Sequence, residues 1–252
     1  MRKKIRDINN FIVYYGYGNE GMIKKYDLAI LEPKGQSKES INTLKETGVT
    51  VLAYVSVMEV SGNYESYKLL RDEDFLLVRG QRVKNEEYST YLIDLSSKRW
   101  QSMLLHHIGN LIYNYSYDGV FLDTLGDIED YDIPAEHQNK LMNSAVNFLK
   151  QLKEQFESII VVQNNGVGKL SSLTADFIQG ICWENPPLCK DSSKDWVETV
   201  AKQLKYLQLK KSITVLILIE EKDNETIYVK EAQALASYNG FLLYKAPYRY
   251  IS

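Results

Sequence analysis

The stretch Tyr117-Asp-Gly-Val-Phe-Leu-Asp123 contains the clearest strand in this chain of 252 residues. Its central residues, Gly119 to Leu122, are small or apolar and lie between two aspartates. An uninterrupted apolar run of this kind predicts a strand that is buried on both faces, as in a parallel sheet covered by helices. The second aspartate, Asp123, then stands at the carboxyl end of the strand.

The same alternation of a short apolar run and a longer amphipathic segment occurs on both sides of this strand. The eight predicted strands are Phe11–Tyr15, Leu28–Leu31, Val49–Val57, Gly119–Leu122, Ile159–Val162, Phe177–Cys182, Ile213–Ile219 and Phe241–Tyr244. The longer predicted helices are Ser37–Thr47, Ser96–Tyr115, Ala135–Phe156, 192–210 and 226–238. Eight strands with a helix between most pairs predict a single (β/α)8 TIM barrel formed by the whole chain, residues 1–252.

Residues 58–95 interrupt this alternation between the third and fourth strands. They contain a short charged helix and two predicted strands, Phe75–Val78 and Tyr91–Asp94, which indicate an elaborated loop on the rim of the barrel. The competing fold is an open doubly wound sheet. Such a sheet would usually have a glycine-rich phosphate loop after its first strand, and Gly16-Tyr-Gly18 lacks the third glycine of that fingerprint.

The composition argues against several kinds of partner. A formal net charge of −3 does not suit nucleic acid, which needs a basic face. No apolar stretch is long enough to span a membrane, and Cys182 and Cys189 have no zinc-finger partners. We expect a monomer and no metal or other cofactor. Because the basic segment Met1–Asn10 runs straight into a strand, it is not a signal peptide; the chain is cytoplasmic, or it is secreted or on the cell surface if an export segment is missing from it.

Polar side chains follow most of the predicted strands, at the end where the active sites of TIM barrels lie. For one strand, a helix cap or a solvated loop charge would explain such a residue. Like charges brought by several strands to one rim, however, cost stability unless they have a function. These residues are Glu32, Ser56, Glu59, Asp123, Asp127, Gln163, Asn164, Asn165, Glu184, Asn185, Glu220 and Glu221.

Asp123 and Glu184 have the best context for catalysis among these residues. Thr124 follows Asp123 and is placed to orient it, and the apolar Trp183 beside Glu184 is expected to raise the pKa of that carboxyl group. Cleavage of a glycosidic bond needs such a pair, with one carboxylate ionised and one carboxylic acid. The separation of the pair, roughly 5 Å in retaining enzymes and roughly 6.5–9.5 Å in inverting enzymes, stays open at this point.

The 19 tyrosines have rings with a polar tip that suit the faces of sugars, although half-exposed positions around barrel strands would also explain them. We therefore include tyrosines from the first and third strands among the substrate-binding residues. The residues assigned to substrate binding are Tyr15, Glu32, Tyr54, Glu59, Asn164, Trp183 and Glu220.

Several segments, taken in order, resemble glycoside hydrolase family 114, the endo-α-1,4-polygalactosaminidases. The run Asp-Gly-Val-Phe-Leu-Asp is the most specific of them, and the resemblance extends over about residues 11–245. The similar segments are Tyr26-Asp-Leu-Ala-Ile-Leu-Glu-Pro33, Val51-Leu-Ala-Tyr-Val-Ser-Val57 with Glu59, Tyr91-Leu-Ile-Asp-Leu95, Tyr117-Asp-Gly-Val-Phe-Leu-Asp-Thr124, Gln163-Asn-Asn-Gly166 and Gly180-Ile-Cys-Trp-Glu184.

The resemblance implies a TIM barrel that cleaves α-1,4-linked galactosamine polymers internally. By position, and by analogy with retaining α-glycosidase barrels, it makes Asp123 the nucleophile and Glu184 the general acid/base. The chain departs from the family at Met58-Glu59, where Gly-Glu is usual, and at Glu220-Glu221, where Asp-Tyr is common. Two other functions stay open: a barrel that binds carbohydrate without turnover, and a barrel of unrelated chemistry such as a metal-dependent lyase.

Overall fold

The computed structural model describes residues 5–62, 65–220 and 226–251. In this part of the chain, eight strands form one sheet in sequence order, each parallel to its neighbours, and the first strand lies beside the last. They are β1 (Phe11–Tyr14), β2 (Leu28–Leu31), β3 (Thr50–Ser56), β4 (Gly119–Asp123), β5 (Ile160–Asn164), β6 (Gly180–Glu184), β7 (Thr214–Glu220) and β8 (Leu242–Ala246). The predicted (β/α)8 barrel is confirmed.

Helices connect the strands and cover the outside of the barrel. They are α1 (Glu20–Ile23), α2 (Lys38–Glu46), α3 (Lys98–Tyr113), α4 (Asp127–Asp130), α5 (Ala135–Gln155), α6 (Lys169–Thr174), α7 (Lys194–Lys211) and α8 (Thr226–Asn239). The Ser37 hydroxyl caps α2 by accepting a hydrogen bond from the Ser40 N–H (3.1 Å). None of the described helices is both long enough and apolar enough to cross a membrane.

Several sequence-based boundaries differ from the structure by one to three residues, and two of these differences have a clear cause. Ser97 caps α3 instead of Ser96, because the Ser96 N–H is held by the Asp94 carboxylate (2.8 Å) in the turn before the helix. The sixth strand begins at Gly180 instead of Phe177, because Phe177 still belongs to the turn after α6, where its N–H donates to the Thr174 carbonyl (2.9 Å). This strand also ends later than predicted, at Glu184 instead of Cys182.

The alternation of side chains along the strands produces two hydrophobic cores. Residues such as Phe121 and Leu52 point into the barrel, and their neighbours Val120 and Leu122 point outward to the helices. Gly119 on β4 packs closely against the backbone of the neighbouring strand β5. A Cβ atom at this position would lie 2.0 Å from the Ile160 carbonyl oxygen on β5, so that only glycine fits here.

The elaborated loop after β3 is present but is built from shorter pieces than predicted. Short antiparallel strands replace the two predicted strands, and two 3-10 helices replace the predicted charged α-helix. In the second 3-10 helix, the Asp74 carboxylate accepts a hydrogen bond from the Arg71 N–H (2.8 Å). The strands are Glu59–Ser61, Leu77–Val78, Gln81–Arg82, Lys84–Asn85 and Thr90–Leu92, and the 3-10 helices are Glu65–Leu69 and Asp72–Asp74.

Candidate active site

The side chains that line the mouth of the barrel lie on the same face of each strand as the apolar side chains that fill its interior. Because alternate residues of a strand point to the same side, the residue two positions beyond an interior apolar residue also faces the barrel. Seven of the nine residues assigned from the sequence follow an interior residue in this way. They are Tyr15, Glu32, Tyr54, Asp123, Asn164, Glu184 and Glu220.

The carboxylate of Asp123, the last residue of β4, is held by two neutral donors from the adjacent strands. The Tyr54 hydroxyl on β3 donates to Oδ2 (2.6 Å), and the Asn164 side-chain amide on β5 donates to Oδ1 (2.8 Å). The expectation that Thr124 orients this carboxylate was wrong. The Thr124 hydroxyl oxygen accepts from the backbone N–H groups of Val57 and Met58.

Glu184, the last residue of β6, is held in the same manner. Asn164 donates to its Oε2 (2.6 Å), and the Tyr250 hydroxyl donates to its Oε1. Burial raises the pKa of Glu184, and the negative charge of Asp123 raises it further, whereas the hydrogen bonds from Tyr250 and Asn164 lower it. The net effect is a raised pKa, so that Glu184 keeps its proton to higher pH than an exposed glutamate.

The shared amide of Asn164 limits the distance between the two carboxyl groups. Its nitrogen lies 2.8 Å from Asp123 Oδ1 and 2.6 Å from Glu184 Oε2, so these two oxygens are at most about 5.4 Å apart, the sum of the two distances. Carboxyl groups are roughly 5–5.5 Å apart in retaining glycosidases and roughly 6.5–9.5 Å apart in inverting ones. The upper limit for these two oxygens lies below the range of inverting enzymes.

Three tyrosine rings enclose the carboxylate pair. Tyr15 packs on Tyr54 with ring centroids 5.1 Å apart and on Tyr250 with centroids 5.0 Å apart. Burial raises the pKa of Tyr15 well above its ordinary value, and the negative charge of Asp123 adds to this effect. The phenol therefore stays neutral and forms a wall of the site together with the two rings that donate to the carboxylates.

A second pair of carboxyl groups lies beside the first. Burial raises the pKa of Asp127 to about 9, and the charges of Glu59 and Asp123 contribute to the shift. Asp127 is therefore neutral near pH 7 and can donate to Glu59, while its Oδ2 is buried without a hydrogen-bond partner. Glu59 itself accepts hydrogen bonds from Asn85 (2.9 Å), Thr90 (2.5 Å) and Tyr131 (3.1 Å).

These contacts change the role expected for Glu59. The residue was assigned to substrate binding, but both of its carboxylate oxygens are used within the protein. Because Asn85 and Thr90 flank the turn 86–89, Glu59 fixes this turn to the rim of the barrel. The turn carries Tyr88, whose side chain is largely exposed. Partial burial raises the pKa of Tyr88, and the negative charges of Glu87, Glu184, Glu220 and Asp123 add to the rise.

The remaining assigned residues lie at the edge of the site or outside it. Glu220 accepts from the Arg249 N–H (2.6 Å), and Glu32 caps the 3-10 helix Pro33–Gly35 by accepting from the Lys34 N–H (3.3 Å). Trp183 is on the outer face of β6, with its ring 5.8 Å from that of Trp196 on α7. Its assignment to substrate binding is not supported, because the alternation that points Glu184 inward points Trp183 outward. Glu221 lies outside the described residues.

Sequence reasoning missed Tyr250, which donates directly to Glu184. Tyr250 lies in the 3-10 helix Tyr248–Tyr250 after β8, and the carbonyl of Tyr250 accepts from the Tyr15 N–H (3.0 Å) where the barrel closes. Neither a strand pattern nor a carboxylate marks this position. Its only signal in the sequence is that an aromatic cluster, Tyr248-Arg-Tyr250, follows the eighth strand.

The charge of the site is acidic and unbalanced. Among the described residues, none of Asp123, Asp127, Glu184 and Glu220 has a basic side chain within ion-pair distance. In the same part of the chain, no group of three or more histidine, cysteine, aspartate or glutamate side chains is arranged to hold a metal ion. What the mouth offers a ligand is a set of carboxyl groups, an amide and phenol rings.

Comparison with known proteins identifies the family. The sequence model of glycosyl hydrolase family 66 matches residues 34–241, which is most of the chain. The chain belongs to this family. No curated protein is significantly similar to this family 66 member in sequence.

Solved structures of glycoside hydrolases have the same fold as this family 66 member. The glycoside hydrolase domain of PelA from Pseudomonas aeruginosa is 19% identical, with a TM-score of 0.77 over 96% of each chain. Aspergillus fumigatus Ega3, solved in complex with galactosamine, is 12% identical, with a TM-score of 0.73 over 100% of this chain and 96% of that one. The α-galactosidase TtGalA from Thermus thermophilus is 11% identical, with a TM-score of 0.62 over 96% of this chain and 58% of that one.

The fold shared with PelA and Ega3 agrees with the resemblance to family 114 that the sequence motifs indicate. The family number differs from that of the matching sequence model, which is 66. Both numbers denote glycoside hydrolases, and at these identities the solved structures establish the fold alone.

Proposed function

We propose that the chain is a retaining endo-glycoside hydrolase that cleaves α-1,4-linked galactosamine polymers. The observation that supports this most directly is the pair Asp123 and Glu184, held at most about 5.4 Å apart by one asparagine amide. A pair at this distance suits a double displacement at the anomeric carbon.

In the first step, a carboxylate oxygen of Asp123 attacks the anomeric carbon. The bond from this carbon to the glycosidic oxygen breaks, and Glu184 gives its proton to the departing oxygen. The raised pKa of Glu184 suits this role, because the group must be protonated when the reaction starts. In the second step, water attacks the glycosyl ester, Glu184 takes the proton of this water, and Asp123 is released as a carboxylate.

The proposed substrate class follows from the charge of the mouth. Asp123 and Glu220, which have no basic partner among the described residues, favour a cationic ligand, and partly deacetylated galactosamine carries ammonium groups. Ega3, which was solved with galactosamine bound, has the same fold.

The test is mass spectrometry of the products after incubation with partly deacetylated α-1,4-galactosamine polymer. Wild-type protein is compared with Glu184→Gln, which retains the shape of the side chain and cannot transfer a proton. We expect short oligomers from the wild type alone. If the wild type binds the polymer but releases no oligomers, the chain is a carbohydrate-binding barrel; equal products from both proteins would show that Glu184 is not the general acid.

A further inference from the structure

Three barrel strands end on a residue of the site that is followed directly by a non-glycine residue with left-handed backbone. These residues are Thr124 after Asp123 (φ 62°), Asn165 after Asn164 (φ 52°) and Asn185 after Glu184 (φ 46°). A left-handed conformation costs about 1 kcal/mol or more for such residues and persists only where the surroundings determine it. The position of all three at the mouth calls for a physical cause.

The cause is a side-chain hydrogen bond from each of these residues to a neighbouring strand. Asn165 donates its backbone N–H to the Cys182 carbonyl (2.8 Å) and accepts the Glu184 N–H on its Oδ1 (2.9 Å). It therefore contacts β6 at two successive points. Asn185 repeats this arrangement on β7, with the Leu218 carbonyl (2.8 Å) and the Glu220 N–H (3.0 Å).

Thr124 forms the corresponding contact in the other direction around the barrel. Its hydroxyl oxygen accepts the N–H groups of Val57 (3.0 Å) and Met58 (2.8 Å) beyond the end of β3. The left-handed turn is what brings each side chain back onto the adjacent backbone. We refer to Thr124, Asn165 and Asn185 as the rim brace.

We propose that Asn165 is a positioning residue for Glu184, an inference that rests on the proposed role of Glu184 as general acid/base. The dipeptide Asn164-Asn165 holds Glu184 at both ends: the Asn164 amide binds the carboxyl group, and the Asn165 amide binds the backbone N–H. If Asn165 loses its acceptor, the end of β6 is free to shift, and the carboxyl group moves relative to Tyr250 and Asn164.

Glycine at position 165 isolates the effect of the side chain. Asn165→Gly keeps the left-handed backbone without steric cost and removes the side-chain amide that accepts the Glu184 N–H. The matched control is Ser212→Gly, because Ser212 is also left-handed (φ 57°), is exposed, and lies after α7 on the opposite side of the barrel. Asn165→Asp restores an acceptor and serves as the rescue variant.

Kinetics on the galactosamine polymer give the first readout. We expect kcat to fall by about ten- to a hundredfold in Asn165→Gly, with KM nearly unchanged, because a misplaced acid slows the chemical step. Asn165→Asp should recover part of this loss, with the alkaline limb of the pH profile moved to higher pH by the added charge. Ser212→Gly should match the wild type. Wild-type kcat in Asn165→Gly would overturn the proposal.

A second readout needs no substrate. NMR titration of carboxyl-labelled glutamate, with Glu184→Gln to assign the signal, measures the pKa of Glu184 directly. We expect this pKa to rise in Asn165→Gly, because the hydrogen bonds from Tyr250 and Asn164 that lower it are weakened. An unchanged pKa would overturn the positioning role, whether or not the wild type cleaves the polymer. A raised pKa in a protein without hydrolase activity would retain the brace and refute the proposed function.

Discussion

The two aspartates at the ends of β4 occupy opposite environments. Asp118, just before the strand, is buried at the amino end of the barrel in an ion pair with Lys45 (3.1 Å), and its other oxygen accepts the Val51 N–H (3.0 Å). Asp123, the last residue of the strand, faces only neutral donors, Tyr54 and Asn164. Five residues apart, one carboxylate has its counterion within the protein and the other does not.

This difference separates a charge that supports the fold from a charge that is available to a ligand. A buried carboxylate that pairs with a cation and accepts a backbone N–H already has its negative charge compensated within the protein. A carboxylate held by a phenol and an amide has no cationic partner within the protein and is open to a cationic ligand. The same distinction predicts which variants lose activity and which lose stability.

The largest effect is expected at the mouth. Asp123→Asn should reduce turnover by at least about a hundredfold, because the neutral amide cannot act as nucleophile. The melting temperature should stay close to that of the wild type, since no ion pair is lost. Product formation at known polymer concentration and a thermal melt check the two halves of this prediction. Comparable turnover in the variant would remove Asp123 from the catalytic role.

At the amino end of β4, we expect a substitution to lower stability and to leave activity unchanged. Asp118→Asn should destabilise the protein by about 3 kcal/mol, because Lys45 is left buried without its counterion. Denaturant unfolding measures this loss, and kcat of the folded protein should not change. The double variant Asp118→Asn with Lys45→Met should recover part of the stability. If the single variant is as stable as the wild type, the pair does not support the fold.

A smaller effect concerns the protonation of Asp127 in the mouth. With a pKa raised to about 9, this group holds a proton in the folded state that it has lost in the unfolded state between about pH 4 and pH 9. Stability therefore falls as pH rises through this window. Asp127→Asn is neutral at every pH and should melt higher than the wild type at pH 8, with little difference near pH 4. Thermal melts across pH test this, and parallel curves would mean that Asp127 is ionised in the fold.

The smallest expected effect is on the general acid. Tyr250→Phe removes a hydrogen bond that stabilises the ionised form of Glu184, so the pKa of Glu184 should rise further. A hydrogen bond worth about 1 kcal/mol corresponds to roughly 0.7 pH units. The alkaline limb of kcat/KM should move upward by this amount. A downward shift would contradict the assigned direction.

The sequence predicts the fold and the carboxylate pair, but not the surroundings of the pair. Apolar runs of β4 and β6 fix the strands, and the period of two places Asp123 and Glu184 on the interior face. The same period places the Trp183 side chain on the outer face of the barrel. Its assignment to substrate binding did not take this period into account. Tyr250 could not be predicted, because its contact depends on where the backbone turns after β8. The roles of Glu59 and Asp127 depend on a loop whose path no periodicity determines.

The rim brace has a consequence for how such a protein can diversify. The hydrogen bonds of Asn165 and Asn185 reach the next strand, and those of Thr124 reach Val57 and Met58 just after β3. None of them involves the loops beyond Thr124, Asn165 and Asn185. Those loops can therefore be lengthened or exchanged without breaking the hydrogen bonds of the rim brace. The rim brace thus separates variation in these loops from the strand ends that carry Asp123, Asn164 and Glu184.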